Sequence, residues 1–549
     1  MRQSLRPLTI AVLLAAAASG ASQDPYFPKP SYFKKYFART VTKVELAPPV
    51  RFEDYAAGGK LELSLKAYLG LVMSNNPNVS IQRLNLTLNE DSITRAFGQF
   101  DPVANASFSA TRALTAGTTA LSGGSTLNQL SQPLNLGVTQ QLETGTRYTI
   151  GFSDFKSSTN NSFATINPTF NSNFNLSFSQ PLLQGRGAYV TRLHMMIARS
   201  RLRGAQYNLE DQVIQILTSA EQAYWAVIGA RENVRVAEEN LKLADAALKR
   251  AEKELELGAS SPLDIFQPQQ TFANAELLLT QNRYALALAE NGLRTQMGAD
   301  LDPRFRDLPI ELTEPVAPPP SPELDREKLV EEALAKRGDL ASARQQLDVD
   351  DLNIRQSNDQ LRPSLALTGQ YGSSGTGGPI YQRQDVFGGG SQIVSILPGG
   401  VTDSLSQLFG FGLPTYGFGL SLNLPLKNHA AIANLADATV SKRLDALRVR
   451  AAQQQIRLQV VSAVTSIENS KASVELARKA RDLAQKRVEA EQKKYELGTE
   501  QIFFVLTAQG DLSTAESALV TQMINYRLNQ LALSRALGTL LEERNITLQ

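Results

Sequence analysis

Apolar positions along this chain follow two periods, which divide it into rods and ribbons. Val234, Ala237, Leu241, Ala244, Leu248, Ala251 and Leu255 step by three and four without a break, a heptad seam in which alanine alternates with valine or leucine. The rhythm returns in Phe272, Ala275, Leu279, Asn282, Leu286, Ala289 and Leu293, and again in Leu512, Ala515, Leu519, Gln522, Tyr526, Asn529 and Leu533. Small residues on one rung let two helices approach closely, so these seams predict helical hairpins. Asn282 and Gln522 occupy equivalent rungs; such amides either fix register when buried or face solvent, and the pattern leaves both open. No proline interrupts the stretch from Leu193 to Leu257, which as one helix would measure roughly 100 Å at about 1.5 Å per residue. A second such run extends from Ala430 to Leu497, its seam broken by Arg481 and Glu491.

The ribbons have period two. Phe174, Leu176 and Phe178 alternate with Asn175, Ser177 and Ser179, and Tyr416, Phe418, Leu420, Leu422 and Leu424 alternate with Gly417, Gly419, Ser421 and Asn423. One such strand fits a soluble sandwich equally well. Repetition in Ala104 to Phe108, Leu134 to Val138, Tyr148 to Phe152 and Leu365 to Tyr371 favours a wall with lipid on one side and water on the other, since each segment can reach the roughly ten residues that a membrane strand needs. Segments rich in Gly, Ser, Thr and Asn, at 115–131, 156–172 and 372–414, read as loops; the last holds Gly388-Gly389-Gly390 and Pro398-Gly399-Gly400. A hairpin from Leu134 to Phe155 has no counterpart in the second half. It either enlarges the wall or stands outside the membrane as a lid.

The sequence also repeats itself. Leu257-Gly258 and Leu497-Gly498 are turns inside helical hairpins, 240 positions apart and flanked by similar residues. The expected organisation is a first repeat at 61–301, a Pro-rich linker at 302–324 that acts as an extended strap, a second repeat at 325–541 and a tail at 542–549. Strands are expected at about 103–182 and 364–425, with hairpin tips near 258 and 498. Residues 23–60 hold Tyr26, Phe27, Tyr32, Phe33, Tyr36 and Phe37 among basic residues and either pack on the middle of the rods or meet the inner leaflet. Before them, Arg2 and Arg6 precede an apolar run from Leu8 to Ala18 and small residues to Ser22, the pattern of a signal peptide at 1–22.

Composition removes several functions. Lys plus Arg number 55 against 53 Asp plus Glu, a net charge of +2, so no global field draws nucleic acid. Cysteine is absent and histidine occurs twice, at His194 and His429, which leaves no thiol chemistry and no evident metal set or cofactor. Glu238-Glu239 and Glu331-Glu332 sit among basic residues on helical stretches and read as solvated faces rather than catalytic pairs. The chain is not expected to be an enzyme.

The signal peptide, the doubled layout, the QPLL corner (Gln180 to Leu183), the LPLK corner (Leu424 to Lys427) and the two LG turns resemble the TolC-like outer membrane factor family, over about Leu61 to Leu541. The resemblance implies a mixed α and β fold: a homotrimer with one outer-membrane β-barrel continued by a long periplasmic α-helical barrel. It implies a passive exit duct of a tripartite efflux pump or type I secretion system, lodged in outer-membrane lipid. A periplasmic adaptor protein and an inner-membrane efflux or ABC-type transporter would open it at its tip. Carried onto this sequence, the adaptor-docking turns are Leu257, Gly258, Leu497 and Gly498, and the gate comprises Asp264, Tyr495, Glu500, Phe504 and Thr507. Glu500 stands where the best-known members have arginine, and Phe504 and Thr507 where they have aspartates. Phe504 could therefore form an apolar constriction, or with Phe503 divide its contacts between helix packing and the adaptor. A different reading, a periplasmic coiled-coil scaffold with a soluble β-domain, would wash off membranes.

An oligomer follows independently of the family. Four to six strands cannot close a barrel around water, and an open edge in lipid leaves amides unpaired.

Overall fold

The computed structural model describes residues 46, 48–118, 124–258, 261–317, 324–384 and 392–548, and all that follows concerns these. The signal peptide and the aromatic segment after it lie outside them, as do Gly388 to Gly390 and four of the linker prolines. From Pro49 onward the chain forms one compact unit.

In chain order it contains β1 (Ala56–Ala57), β2 (Lys60–Leu63), α1 (Leu65–Asn75), α2 (Pro77–Phe97), β3 (Val103–Phe108), β4 (Thr111–Ala116), β5 (Thr126–Gln141), β6 (Arg147–Thr159) and β7 (Thr169–Pro181). Next come α3 (Leu193–Glu256), α4 (Phe266–Met297), β8 (Ile310–Leu312), α5 (Arg326–Lys336), α6 (Gly338–Gln360), β9 (Ser364–Gly377), β10 (Ile380–Gln384) and β11 (Gln392–Leu397). Then follow α7 (Val401–Phe409), β12 (Pro414–Asn423), α8 (His429–Glu496) and α9 (Ile502–Leu537), with short helical segments besides at Gly187–Thr191 and Leu540–Glu543.

The seam alanines Ala237, Ala244 and Ala251 are buried while the leucines between them are half-covered, so α4 docks on the alanine rung of α3. The amide question is answered for Asn282, whose side chain donates to the Asn233 carbonyl of α3 at 3.5 Å. In the second hairpin it is not the equivalent Gln522 but Asn529, one heptad further along α9, that donates to the Ser466 carbonyl of α8 at 3.2 Å. Both amides face the partner helix. α9 and α6 each pack against α3 and α8, so the helices form a layer with α2 and α4 at one edge and α8 at the other.

The membrane-type strands form one antiparallel sheet in the order β12, β9, β7, β6, β5, β3, with β4 continuing β3 along β5 past a break at Ser109 and Ala110. The hairpin peculiar to the first half is thus part of the wall, inserted between β3 and β7. Register gathers the alternating residues into rows: Ala104, Val138, Ile150, Leu176, Tyr371 and Tyr416 lie side by side across the sheet. On the other face Val103, Thr139, Thr149, Ser177, Gln370 and Gly417 form a row that is polar apart from its first member.

The three expected loops are corrected by this sheet. β5 starts at Thr126, β6 continues to Thr159, β7 begins at Thr169, and the stretch 372–414 contains the end of β9 together with β10, β11 and α7. Beyond the apolar rows the residues on both strand faces are polar, so apolar alternation stops while the hydrogen-bonded ladder continues; sequence pattern registers only the first. The 16 residues of β5 exceed the roughly ten that cross a bilayer.

Around the middle of the helices lies the main core, including Tyr68, Leu69, Leu217, Tyr224, Trp225, Leu293 and Met297. The linker contributes to it: β8 pairs in parallel with β2, and buried Phe305 stacks on buried Phe52 at 5.2 Å. So the part of 23–60 that is described, from Pro49 on, packs on the helical middle.

Candidate functional site at the helical tip

Each long helix ends on a glycine. Leu257 and Leu497 keep right-handed helical angles, and Gly258 and Gly498 then turn left-handed at φ +71° and +73°. Their amides bond back to Leu255 and Tyr495 at 3.0 and 2.9 Å, and Thr499 reaches Lys494 at 3.0 Å. A methyl group added at either glycine would meet open space, so the requirement is conformational: only glycine adopts this φ without strain. Leu257 and Leu497 protrude, 83% and 79% exposed.

Tyr495 ties the two hairpins together. Its hydroxyl donates to Glu254 Oε2 at 2.6 Å, Arg250 donates to the other oxygen at 3.0 Å, and the Arg250 guanidinium lies 4.5 Å from the Tyr495 ring centre. Burial, followed by the bond to Glu254, pushes the Tyr495 phenol up to about 12, so it stays a donor at any physiological pH. On Glu254, burial pushes upward, but the bonds from Tyr495 and Arg250 prevail and hold the carboxyl below its ordinary value. Sequence reasoning named Tyr495 and missed Glu254 and Arg250. Ion pairs with the same spacing, Arg235–Glu239 and Asp245–Lys249, occur elsewhere on α3, and nothing in the sequence separates this one from them.

The other expected gate residues make local contacts. Asp264 accepts from the Ser261 amide at 3.0 Å, closing the turn before α4. Glu500 lies 3.9 Å from Lys494, which is engaged more closely by Glu491 at 2.9 Å. Phe504 meets Phe503 edge-on at 5.5 Å, and Thr507 donates to the Phe503 carbonyl at 2.8 Å. Phe503, Phe504 and Thr507 are exposed, while Val505, Leu506 and Ala508 turn inward, so the aromatic pair lies off the hairpin's own core. Further along, α3, α8 and α9 enclose a groove of about 370 Å³ lined by Leu243, Gln485, Gln509, Leu512 and Glu516. Burial, and then repulsion from Glu239, raise the Glu516 carboxyl.

Among the described residues no group of three or more His, Cys, Asp or Glu side chains could hold a metal ion, and no helix is long and apolar enough to cross a membrane.

The sequence profile of the outer membrane efflux protein family matches residues 148–299 and 329–539. The toluene efflux pump outer membrane protein TtgC of Pseudomonas putida is 21% identical over 333 residues, and the chain spans 60% of the length of that relative. Outer membrane protein TolC of Vibrio cholerae is 25% identical over 380 residues, 67% of this chain and 77% of that one. Among solved structures, the outer membrane protein VceC of Vibrio cholerae shares the fold, with a TM-score of 0.61 at 17% identity over 89% of this chain and 98% of that one. The chain belongs to the outer membrane efflux protein family and resides in the bacterial outer membrane, with its helical part in the periplasm.

Proposed function

We propose that this chain is the outer-membrane exit duct of a tripartite efflux pump or type I secretion system, three copies closing one barrel and one periplasmic tunnel. The observation that carries this is a sheet with one apolar and one polar face and with both outer edges, on β12 and on β3 with β4, unpaired. In hydrocarbon each unpaired amide costs several kcal/mol, and another copy is the natural partner for both edges. A soluble β-domain would have to cover the apolar face with protein of its own.

The accessible surface supports the same reading. Apolar stripes lie exposed on the helices: Ile81, Leu84 and Leu88 on α2, Tyr284 and Leu288 on α4, and Val440, Leu444 and Leu447 on α8. These lie at opposite edges of the helical layer, which suits a head-to-tail ring. Six strands per copy give a barrel of roughly eighteen, wide enough for an aqueous channel. The two halves are then internal repeats that place two hairpins per copy around the tunnel.

In this reading the gate is the tip. The Tyr495–Glu254 contact holds the second hairpin against the first, and Asp264, Glu500, Phe504 and Thr507 line the constriction. Leu257, Gly258, Leu497 and Gly498 receive the adaptor, whose helices extend into the groove beside Leu243 and Leu512. The duct is passive, and an inner-membrane transporter supplies the energy. Light scattering on the detergent-extracted protein, corrected for bound detergent, tests the assembly. Three chain masses are expected, and a single-chain mass overturns the proposal.

A further inference from the structure

α7 is seated on the wrong side of the sheet for a channel plug. Gly375 and Gly377 share a face with Tyr371, whose row is apolar. Cβ atoms built on those glycines would come within 2.0 Å of the Ser404 carbonyl oxygen and 2.2 Å of the Gly400 carbonyl oxygen. The glycines therefore form a socket that lets the helix touch the strands. Ser373 Oγ on the same face donates to the Leu408 carbonyl at 3.0 Å, and Ser172 and Ser404 share a hydrogen bond of 2.8 Å while Ser172 also donates to Asp154 at 2.7 Å. Ser404 and Leu408 are fully buried in this seat. The Tyr371 and Phe411 rings lie 6.3 Å apart at its border.

The outward side of the helix has the opposite character. Val401, Phe409, Phe411 and Leu413 are exposed, continuous with exposed Tyr416 and Phe418 of β12. The helix has no basic residue, and its single acid, Asp403, accepts from the Gly400 amide at 2.7 Å to close the first turn. The seat lies beyond the apolar rows, at the end of the strands away from the long helices, and Lys156 stands near that level over the Phe170 ring at 5.7 Å.

We infer that α7 and the residues after it form a lipid-contacting collar on the outside of the barrel, its Phe409–Phe411 edge inserted at the boundary between headgroups and acyl chains of the outer leaflet. The occupant is lipid because the exposed patch continues the apolar band of the wall, has no basic residue and only the capping Asp403 as a charge, and ends near a lysine at headgroup depth. Interfacial helices bind by such a buried apolar edge. The inference rests on the reading that the apolar sheet face meets lipid, so its test includes a control for that reading.

The assembled protein is reconstituted in phosphatidylcholine vesicles whose acyl chains carry bromine either near the carbonyl or near the methyl end. Trp225, the only natural tryptophan, is buried in the helical middle and serves as the unquenched background. Phe409→Trp should add emission that is quenched mainly by shallow bromine, and Leu420→Trp, within the band, emission quenched more by deep bromine. Phe411→Trp repeats the shallow result should Phe409→Trp fail to assemble. Gly375→Ala combined with Phe409→Trp should lose the depth preference, because the socket is filled. Quenching at Leu420→Trp with none at Phe409→Trp or Phe411→Trp overturns the collar, whether their emission is red, from water contact, or blue, from cover by another copy. Absence of quenching at Leu420→Trp overturns the lipid-facing wall itself.

Discussion

At the residue scale, function depends on contacts that single side chains can remove. Tyr495→Phe keeps a ring beneath Arg250 and deletes only the bond to Glu254, so it should raise single-channel conductance in planar bilayers while leaving the assembly's mass unchanged; wild-type conductance would remove this contact from the gate. The pH sign follows from Glu254. Its carboxyl is depressed in the folded state, so the stabilisation is present above the ordinary carboxylate pKa of about 4.3 and is lost as pH falls through the folded value, which predicts a leakier channel in acid. Asp350 of α6 has the opposite sign. Burial, and next the repulsion of Asp445 on α8, push it up to about 6; Gln346 bonds it at 3.4 Å, and neighbouring Asp351 and Asp445 are paired with Lys442 at 2.5 Å and Arg448 at 2.7 Å. An acid raised by folding destabilises progressively as pH climbs from its unfolded value through its folded one. Asp350→Asn should therefore raise the thermal midpoint at pH 8 more than at pH 4, and equal shifts at both would exclude ionisation as the cause.

At the scale of elements, sequence pattern located rods and ribbons well where a single environment lined each face. The seam from Val234 to Leu255 was legible because close helix packing demands Ala237, Ala244 and Ala251 on one rung, and the apolar part of β7 was legible because Phe174, Leu176 and Phe178 share a face. Past the apolar rows Thr126, Asn128 and Asn171 are polar on both sides of the sheet, and α7 depends on a socket of Gly375 and Gly377 that reads as loop composition. At the tip the Gly258 and Gly498 turns were legible from local rules. The Glu254 partner was not, because it joins elements 241 residues apart. The apolar stripes on α2, α4 and α8 yield an element-scale prediction. Leu84→Glu or Leu444→Glu puts a charge on one of two opposite edges and should shift the light-scattering mass from three chains toward one, since an unpaired charge in a closed interface is costly. Retention of the full assembly by both variants would place these stripes outside the contact between copies.

For the whole molecule, the added hairpin of β5 and β6 alters what must close. The strap of β8, the core beside Trp225 and the packing of α9 on α3 and α8 tie the helices of one chain together, and in the proposed ring the helical edges and the sheet edges have to be satisfied by the same rotation. β12 leads into α8, and β3 follows α2. A neighbour placed so that α8 meets α2 therefore brings the free edge of β12 to the free edge of β3, which is the arrangement a closed ring needs. Because the natural chain has no cysteine, this closure can be tested with introduced thiols alone. Gly419 points to the polar face, as do Val103, Asn105 and Ser107 at the far edge, with β9, β7, β6 and β5 between them in the same chain. Gly419→Cys is combined in turn with Val103→Cys, Asn105→Cys and Ser107→Cys, and each protein is oxidised in its native membrane. One register should give covalent dimers and trimers on a denaturing gel under oxidising conditions that leave the Gly419→Cys single variant monomeric. The intervening strands prevent the two thiols of one chain from meeting in an open sheet, so any cross-link in that register joins different copies. If all three pairs stay monomeric while light scattering still gives three chain masses, the copies meet through their helices and the sheets close in some other way.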